Sequence, residues 1–186
     1  MAMRPPRLLE CLSEELVLAL DGASSDVRQM VEALVSENAV ARLLGLDAVG
    51  DVVLRHGELQ PRAVEALPFL LGLATSPRYP LASALLGRLA GVLAAVDDPP
   101  RSASGEPPAD PVARRAHALF EAHAGKLLRV ARSSRDPESC RVAARMVSHF
   151  PRLDAEILPV FVALLSGARD ADGRAPLLEG LARVRH

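Results

Sequence analysis

The segment Glu65-Ala-Leu-Pro-Phe-Leu-Leu-Gly-Leu-Ala74 returns in related form as Glu156-Ile-Leu-Pro-Val-Phe-Val-Ala-Leu-Leu165. Two short, strongly apolar segments of helical type, each with a proline inside, restrict this chain more than any other feature. An interior proline removes one backbone donor and clashes with the carbonyl four residues back, so Pro68 and Pro159 predict the same bend used twice. Hydrophobic residues make up 49% of the 186, enough for one domain with a real core, but aromatics are only 3%, so Leu, Ala and Val must fill it. Leu and Ala favour helix, and the alternating β-branched and aromatic residues of strands are scarce. The expected fold is all-α.

Punctuation along the chain divides it into helices. An N-terminal helix is expected from Leu8 to Leu20, ended at Asp21-Gly22. Ser25 can cap a second one through Val35, with Val27, Met30, Val31, Leu34 and Val35 at core spacing. Ser36-Glu37-Asn38 is a short break before a longer helix reaching His56 and stopped by Gly57, and so tight a link makes the two antiparallel neighbours. Gln60-Pro61 opens the next pair, Thr75 to Pro80 is its turn, and Leu81 to Val96 is its second helix. Gly87 and Gly91 within that helix are expected to let a neighbour approach closely.

Residues 97 to 111 hold five prolines and no apolar residue larger than alanine, which cannot offset the entropy of ordering the chain; a flexible loop is expected there. Asp110-Pro111 restarts helix to Ser133, Asp136-Pro137 starts another that Pro151 ends, and Asp154 begins the second proline-bearing segment. Gly167 to Gly173 turns, and Ala175 to Val184 closes the chain. Four helical pairs therefore start near Asp26, Pro61, Pro111 and Asp154, at steps of 35, 50 and 43 residues, the middle step containing the loop. Two helices per unit at such a period is the pattern of helical-repeat solenoids, and the whole chain reads as a single domain.

These pairs resemble HEAT repeats, and the chain is similar to bacterial HEAT-repeat proteins of the armadillo-like α-solenoid type. The pattern is a first helix carrying proline, an acidic turn, then a second helix with an early arginine followed by small and apolar positions. Asp136-Pro-Glu-Ser-Cys-Arg141-Val-Ala-Ala carries it most clearly, with Glu37-Asn-Ala-Val-Ala-Arg42 and Asp170-Ala-Asp-Gly-Arg174 as looser copies. Ser76-Pro-Arg-Tyr-Pro-Leu81 departs from it. The resemblance covers about Asp26 to Val184, including Leu43 to Val96, and implies a short α-α superhelix that binds a protein through a curved surface lined by second helices.

Charge is distributed unevenly. Residues 1–100 carry 8 basic and 13 acidic side chains, a net of −5, and residues 101–186 carry 14 and 10, a net of +4. Asp47, Asp51 and Arg55, spaced by four, are expected on one face of a second helix, as are Arg141 and Arg145 on another. With Arg88 between them they can line one groove, acidic at one end and basic at the other. The alternative is a set of solvated faces and internal ion pairs, in which Arg141 serves Asp136.

Nothing in the sequence converges on chemistry, so no catalytic residue, metal or cofactor is expected. His117 and Glu121 are one helical turn apart, but His123 falls on another side, and surface histidines are the expectation. Ser148-His149 has no nucleophile elbow around it, and Gly45 and Gly50 do not follow a strand as a phosphate loop would. Cys11 and Cys140 form no close pair, which points to the cytosol. Arg4 and Arg7 precede an apolar run broken by Glu10, Glu14 and Glu15, unlike a secretion signal, and the longest apolar stretch falls short of the ~20 residues that span a bilayer. The partner is expected to be another protein, in one version a toxin or enzyme plugged by an immunity-like or antitoxin-like inhibitor, in another an assembly held by a scaffold. Nucleic-acid binding or base excision, as in HEAT-like DNA glycosylases, is the alternative. Arg114, Arg115, Lys126, Arg129, Arg132 and Arg135 favour it, and one tyrosine with no tryptophan speaks against it.

Overall fold

The computed structural model describes residues 23–55, 58–97, 110–168 and 171–184. The expected helix from Leu8 to Leu20, the His56-Gly57 stop and positions 98–109 of the proline-rich loop lie outside them. In chain order the elements are α1 (Ser25–Leu34), α2 (Ala39–Val53), β1 (Leu54–Arg55), β2 (Glu58–Leu59), α3 (Pro61–Val64), α4 (Leu67–Ala74) and α5 (Ala82–Asp97). After the loop come α6 (Pro111–Ser133), α7 (Pro137–Val147), a 3₁₀ turn (Pro151–Leu153), α8 (Asp154–Gly167) and α9 (Ala171–Arg183). Among the described residues the fold is thus all-α apart from one two-residue ladder.

Local chemistry explains most helix starts. Asn38 accepts from the amides of Val40 and Ala41 at 2.8 and 3.3 Å, Asp110 from Val112 at 3.0 Å, and Asp136 from Glu138 and Ser139 at 3.3 and 3.0 Å. Each satisfies amides that a helix leaves orphaned at its first turn. Pro61, Pro111 and Pro137 stand where the missing N–H costs nothing. The cap of α1 is Ser24, one residue before the expected Ser25.

Two expectations fail for physical reasons. Pro68 and Pro159 are not equivalent. Around Pro68 the helix breaks into α3 and α4, which puts the proline in the first turn of α4, whereas Pro159 remains inside α8. A break and a tolerated interior proline are two answers to the same steric problem. The helix expected to reach His56 stops at Val53, since Leu54 turns extended (φ −118°, ψ 92°) and pairs with Leu59, as Arg55 does with Glu58. β-branched Val52 and Val53 at this end favour the change.

Packing follows from the apolar faces. The start of α1 and the end of α2 share one groove while Ala33 and Leu34 meet Gly45, so these helices run antiparallel. The second helices α2, α5, α7 and α9 touch one another in succession, and α6 lies against α3, α4, α5, α7 and α8. One apolar core runs through all pairs from Val27 to Val184. All four phenylalanines, Phe69, Phe120, Phe150 and Phe161, are fully buried in it. The buried Tyr79, in the turn before α5, donates its hydroxyl to the Leu34 carbonyl at 3.2 Å, tying the second pair to the end of α1.

The glycines expected to permit close packing are not the ones that do. Gly87 and Gly91 are exposed, and a Cβ on either would meet nothing within 4 Å. Close approach occurs instead at Gly45, where a Cβ would lie 2.8 Å from the Leu34 amide nitrogen, and at Gly180, where it would lie 2.7 Å from the Phe161 ring.

Gly45→Ala is therefore expected to lower stability by about 1–3 kcal/mol through overpacking against backbone. Gly87→Ala should raise it by about 0.5–1 kcal/mol, because an exposed helix interior gains propensity with room to spare. Chemical denaturation of both variants checks the opposite signs. Tyr79 offers a second check, since burial pushes its hydroxyl up to about 12. The unfolded chain ionises near pH ~10. Its stabilising effect is thus complete below that pH and is lost as pH rises toward 12, and phenolate absorbance, from the one tyrosine in the chain, should show the late ionisation.

Candidate functional site

Helix α2 carries more apolar residues than one buried face can accept. Gly45, Leu46, Val49 and Val53 turn inward, leaving Val40, Leu43 and Leu44 in solvent at 64%, 50% and 64% exposure. Val40, Leu44, Asp47 and Asp51 follow one another at helical spacing, which places an apolar half and an acidic half on one exposed stripe. Asp47 Oδ1 accepts from Arg88 Nη2 of α5 at 2.9 Å, so the stripe continues onto the exposed side of α5 around Gly87 and Gly91. Both partners are at least half exposed, and such pairs contribute only about 0–1 kcal/mol.

Of the six charged residues the sequence singled out, the structure brings Asp47, Asp51 and Arg88 to one face. Arg55 leaves it, because α2 ends before it and its strand partner is Glu58. Together with Asp26 and Asp51 it borders a separate hollow of about 820 Å³ at the end of the first pair. Arg141 does not serve Asp136. It pairs with Glu138 one turn back, Nη2 to Oε2 at 2.6 Å and Nε to Oε2 at 3.0 Å. Arg145 is half-buried, and its Cγ comes within 3.5 Å of where a Cβ on Gly180 would stand. The two arginines thus sit on a largely buried helix, Arg141 paired with Glu138 and Arg145 packed beside α9.

Asp136 is held from its own helix. Its Oδ2 accepts from Ser139 Oγ at 2.6 Å and from the Ser139 amide, and with Ser83 of α5 these bonds hold its carboxyl down at about 2. It therefore links α7 to α5 as a carboxylate. Cys140 is buried and its Sγ faces the Val130 and Ser134 carbonyls at 3.6 and 3.4 Å; burial pushes the thiol's pKa up, away from a reactive thiolate.

Two histidines from different helical pairs meet one acid. Asp97, the last residue of α5, meets His149 with Oδ2 and His117 with Oδ1, the latter at 3.5 Å. The His149 side chain is only 9% exposed, not a surface group. Arg183 of α9 approaches the Nε2 of His149, so the network assigns the Nδ1 proton toward Asp97 and leaves Nε2 to accept. Phe150 meets the His117 ring edge-on, with centroids 5.3 Å apart. The adjacent Ser148 donates to the Arg145 carbonyl at 2.7 Å, not to His149. Among the described residues no set of three or more His, Cys, Asp or Glu side chains is placed to hold a metal ion, and no helix is long and apolar enough to cross a membrane.

Sequence reasoning missed the exposed Val40, Leu43 and Leu44, although the signal was there: the apolar residues of α2 are spread around the helix and not gathered on one face. It missed the Asp97 network because Asp97 and His149 are 52 positions apart. No protein-family model, curated protein or solved structure matches this chain.

Arg141→Glu is expected to be tolerated, losing an exposed i,i+3 pair for about 0.5 kcal/mol, while Arg145→Glu should cost several times more by inserting a carboxylate against α9. Thermal unfolding of the two single variants checks the ranking. Asp136→Ala should cost about 1 kcal/mol as a lost cap. Its folded pKa is depressed, so the stabilisation is present above the unfolded value of ~3.9 and is lost as pH falls toward about 2, and the wild-type advantage over the variant should vanish across that window.

Proposed function

We propose that the chain is a non-catalytic, HEAT-like helical-repeat module that binds another protein across the exposed face of its second helices. The observation that carries this reading is the exposed Val40, Leu43 and Leu44 cluster flanked by the Asp47–Arg88 pair and Asp51. An apolar centre with a charged rim is the composition of a protein-binding patch, and an exposed group of large aliphatic side chains is unfavourable for a chain that has no partner to cover it. The uneven charge of the two halves suits a partner of complementary polarity and would speed encounter. An inhibitor that plugs a toxin or enzyme and an assembly scaffold are the two forms this takes.

Nucleic-acid binding is the weaker reading. Two of the arginines it would need are engaged between helices, Arg115 with Glu65 at 2.9 Å and Arg132 with Glu156 at 3.5 Å. Tyr79, the one aromatic a base could have stacked on outside the phenylalanine core, is 3% exposed.

The test is affinity capture from the native host with the wild-type chain and with Leu44→Glu, bound proteins being quantified by mass spectrometry. A specific partner should be lost by about tenfold or more with Leu44→Glu. The thermal midpoint should stay within about 2 °C, because Leu44 makes no core contact. A partner retained in full by Leu44→Glu, or steep salt-sensitive binding of duplex DNA in its place, overturns the reading.

A further inference from the structure

A hollow of about 1360 Å³ lies away from the exposed face of α2, between two turns, where the link from α4 to α5 faces the link from α6 to α7. Helix α6 forms one wall because of its length. Its 23 residues reach about 35 Å at the usual rise, against 8 residues in α4. Lys126, Arg129, Val130 and Ser133 lie at i, i+3, i+4 and i+7, a single face of α6 turned into the groove, while Leu127, Leu128 and Ala131 go to the core. Arg135 follows in the turn, so three cations line the groove against one acid, Asp136.

Accounting for donors shows what such a groove can recognise. Thr75 Oγ1 donates to the Leu71 carbonyl at 2.7 Å, Ser133 Oγ to the Arg129 carbonyl at 2.7 Å, and Ser139 Oγ to Asp136 at 2.6 Å. These hydroxyl protons are committed. Asp136 is likewise turned to its own helix. Among the charged groups of the groove, the exposed guanidinium groups of Arg129 and Arg135 have no side-chain partner among the described residues. A guanidinium fork binds an oxyanion bidentately, and a carboxylate fits it as well as a phosphate does.

Shape chooses between them. The groove is larger than the roughly 300–1,000 Å³ of a small-molecule pocket. Pro77, Pro80, Ala82 and Val130 give it apolar walls, and Tyr79 shows no free ring face on which a base could stack. We infer that this groove holds an extended acidic peptide segment of the partner protein, its carboxylates on Arg129 and Arg135 and its other side chains against the proline and valine walls. The inference rests on the protein-binding reading above and adds to it a second contact, of stated chemistry, away from the α2 face.

The experiment is fluorescence anisotropy with a labelled hexaglutamate peptide, a hexaglutamine control and inorganic triphosphate as competitor. Hexaglutamate should bind the full chain, weaken as salt is raised, and lose about tenfold or more in the Arg129→Glu, Arg135→Glu double variant. The Arg129→Gln, Arg135→Gln pair should show the same direction and serves if the reversed variant does not fold. Arg88→Glu, which changes net charge equally per site but lies elsewhere, should stay within about twofold, and so should Leu44→Glu. Equal binding of hexaglutamine, equal loss in Arg88→Glu, or triphosphate binding more tightly than the peptide overturns the proposal. Because Leu44→Glu tests the α2 face and the arginine pair tests the groove, either contact can fail while the other stands.

Discussion

Helix α7 gives up nearly its whole surface to its neighbours, and the rest of the arrangement depends on that burial. It touches α5, α6, α8 and α9, and Ser139, Cys140, Val142, Ala143, Ala144, Met146 and Val147 are all buried. Ala143 and Ala144 supply sides short enough for helices to close from two directions, and each Leu, Val or Phe thereby removed from water contributes about 1.5–3 kcal/mol. One apolar core runs through all the described pairs, so stability is shared between adjacent pairs. The same burial explains why Arg141 and Arg145 are not a free basic stripe: only a narrow strip of α7 reaches solvent, and along it Arg141 is paired with Glu138 while Arg145 is half-buried beside α9.

Electrostatics then acts at the margins of this apolar frame. The exposed pairs of Arg115, Arg132 and Arg152 with Glu65, Glu156 and Glu121 join helices side by side, each worth little alone. Asp136 does more, because it caps α7 and reaches Ser83 of α5 at once. Asp97 has the corresponding place at the other end of α5, gathering His117 of α6 and His149 beyond α7. Charges consumed in this way hold the helices together. Asp51 on α2 and Arg129 and Arg135 in the groove have no such side-chain partner among the described residues.

Helix starts were legible because their causes are local. Asn38, Asp110 and Asp136 bond amides two or three residues ahead, and the prolines after Gln60, Asp110 and Asp136 need no tertiary support. The candidate site was legible only in part. Asp47 and Arg88 were identified as charges facing one groove and do meet, yet Arg55 was carried off that face by the early end of α2. The glycine spacing in α5 looked like packing and is open surface, whereas Gly45, with no comparable pattern, is pressed against α1.

What the amino-acid sequence determined by itself is the succession of helices: Leu and Ala in quantity, caps within three residues of their amides, and prolines that stop or start a turn act through the adjacent backbone. What only the tertiary structure decided is which side of each helix meets another. That choice sent Leu46 inward and left Leu44 in water on the same helix, joined Asp97 to His149 across 52 positions, and opened a groove beside α6. The physical reason is that burial is a property of pairs of surfaces, and an apolar residue carries no record of which surface will cover it.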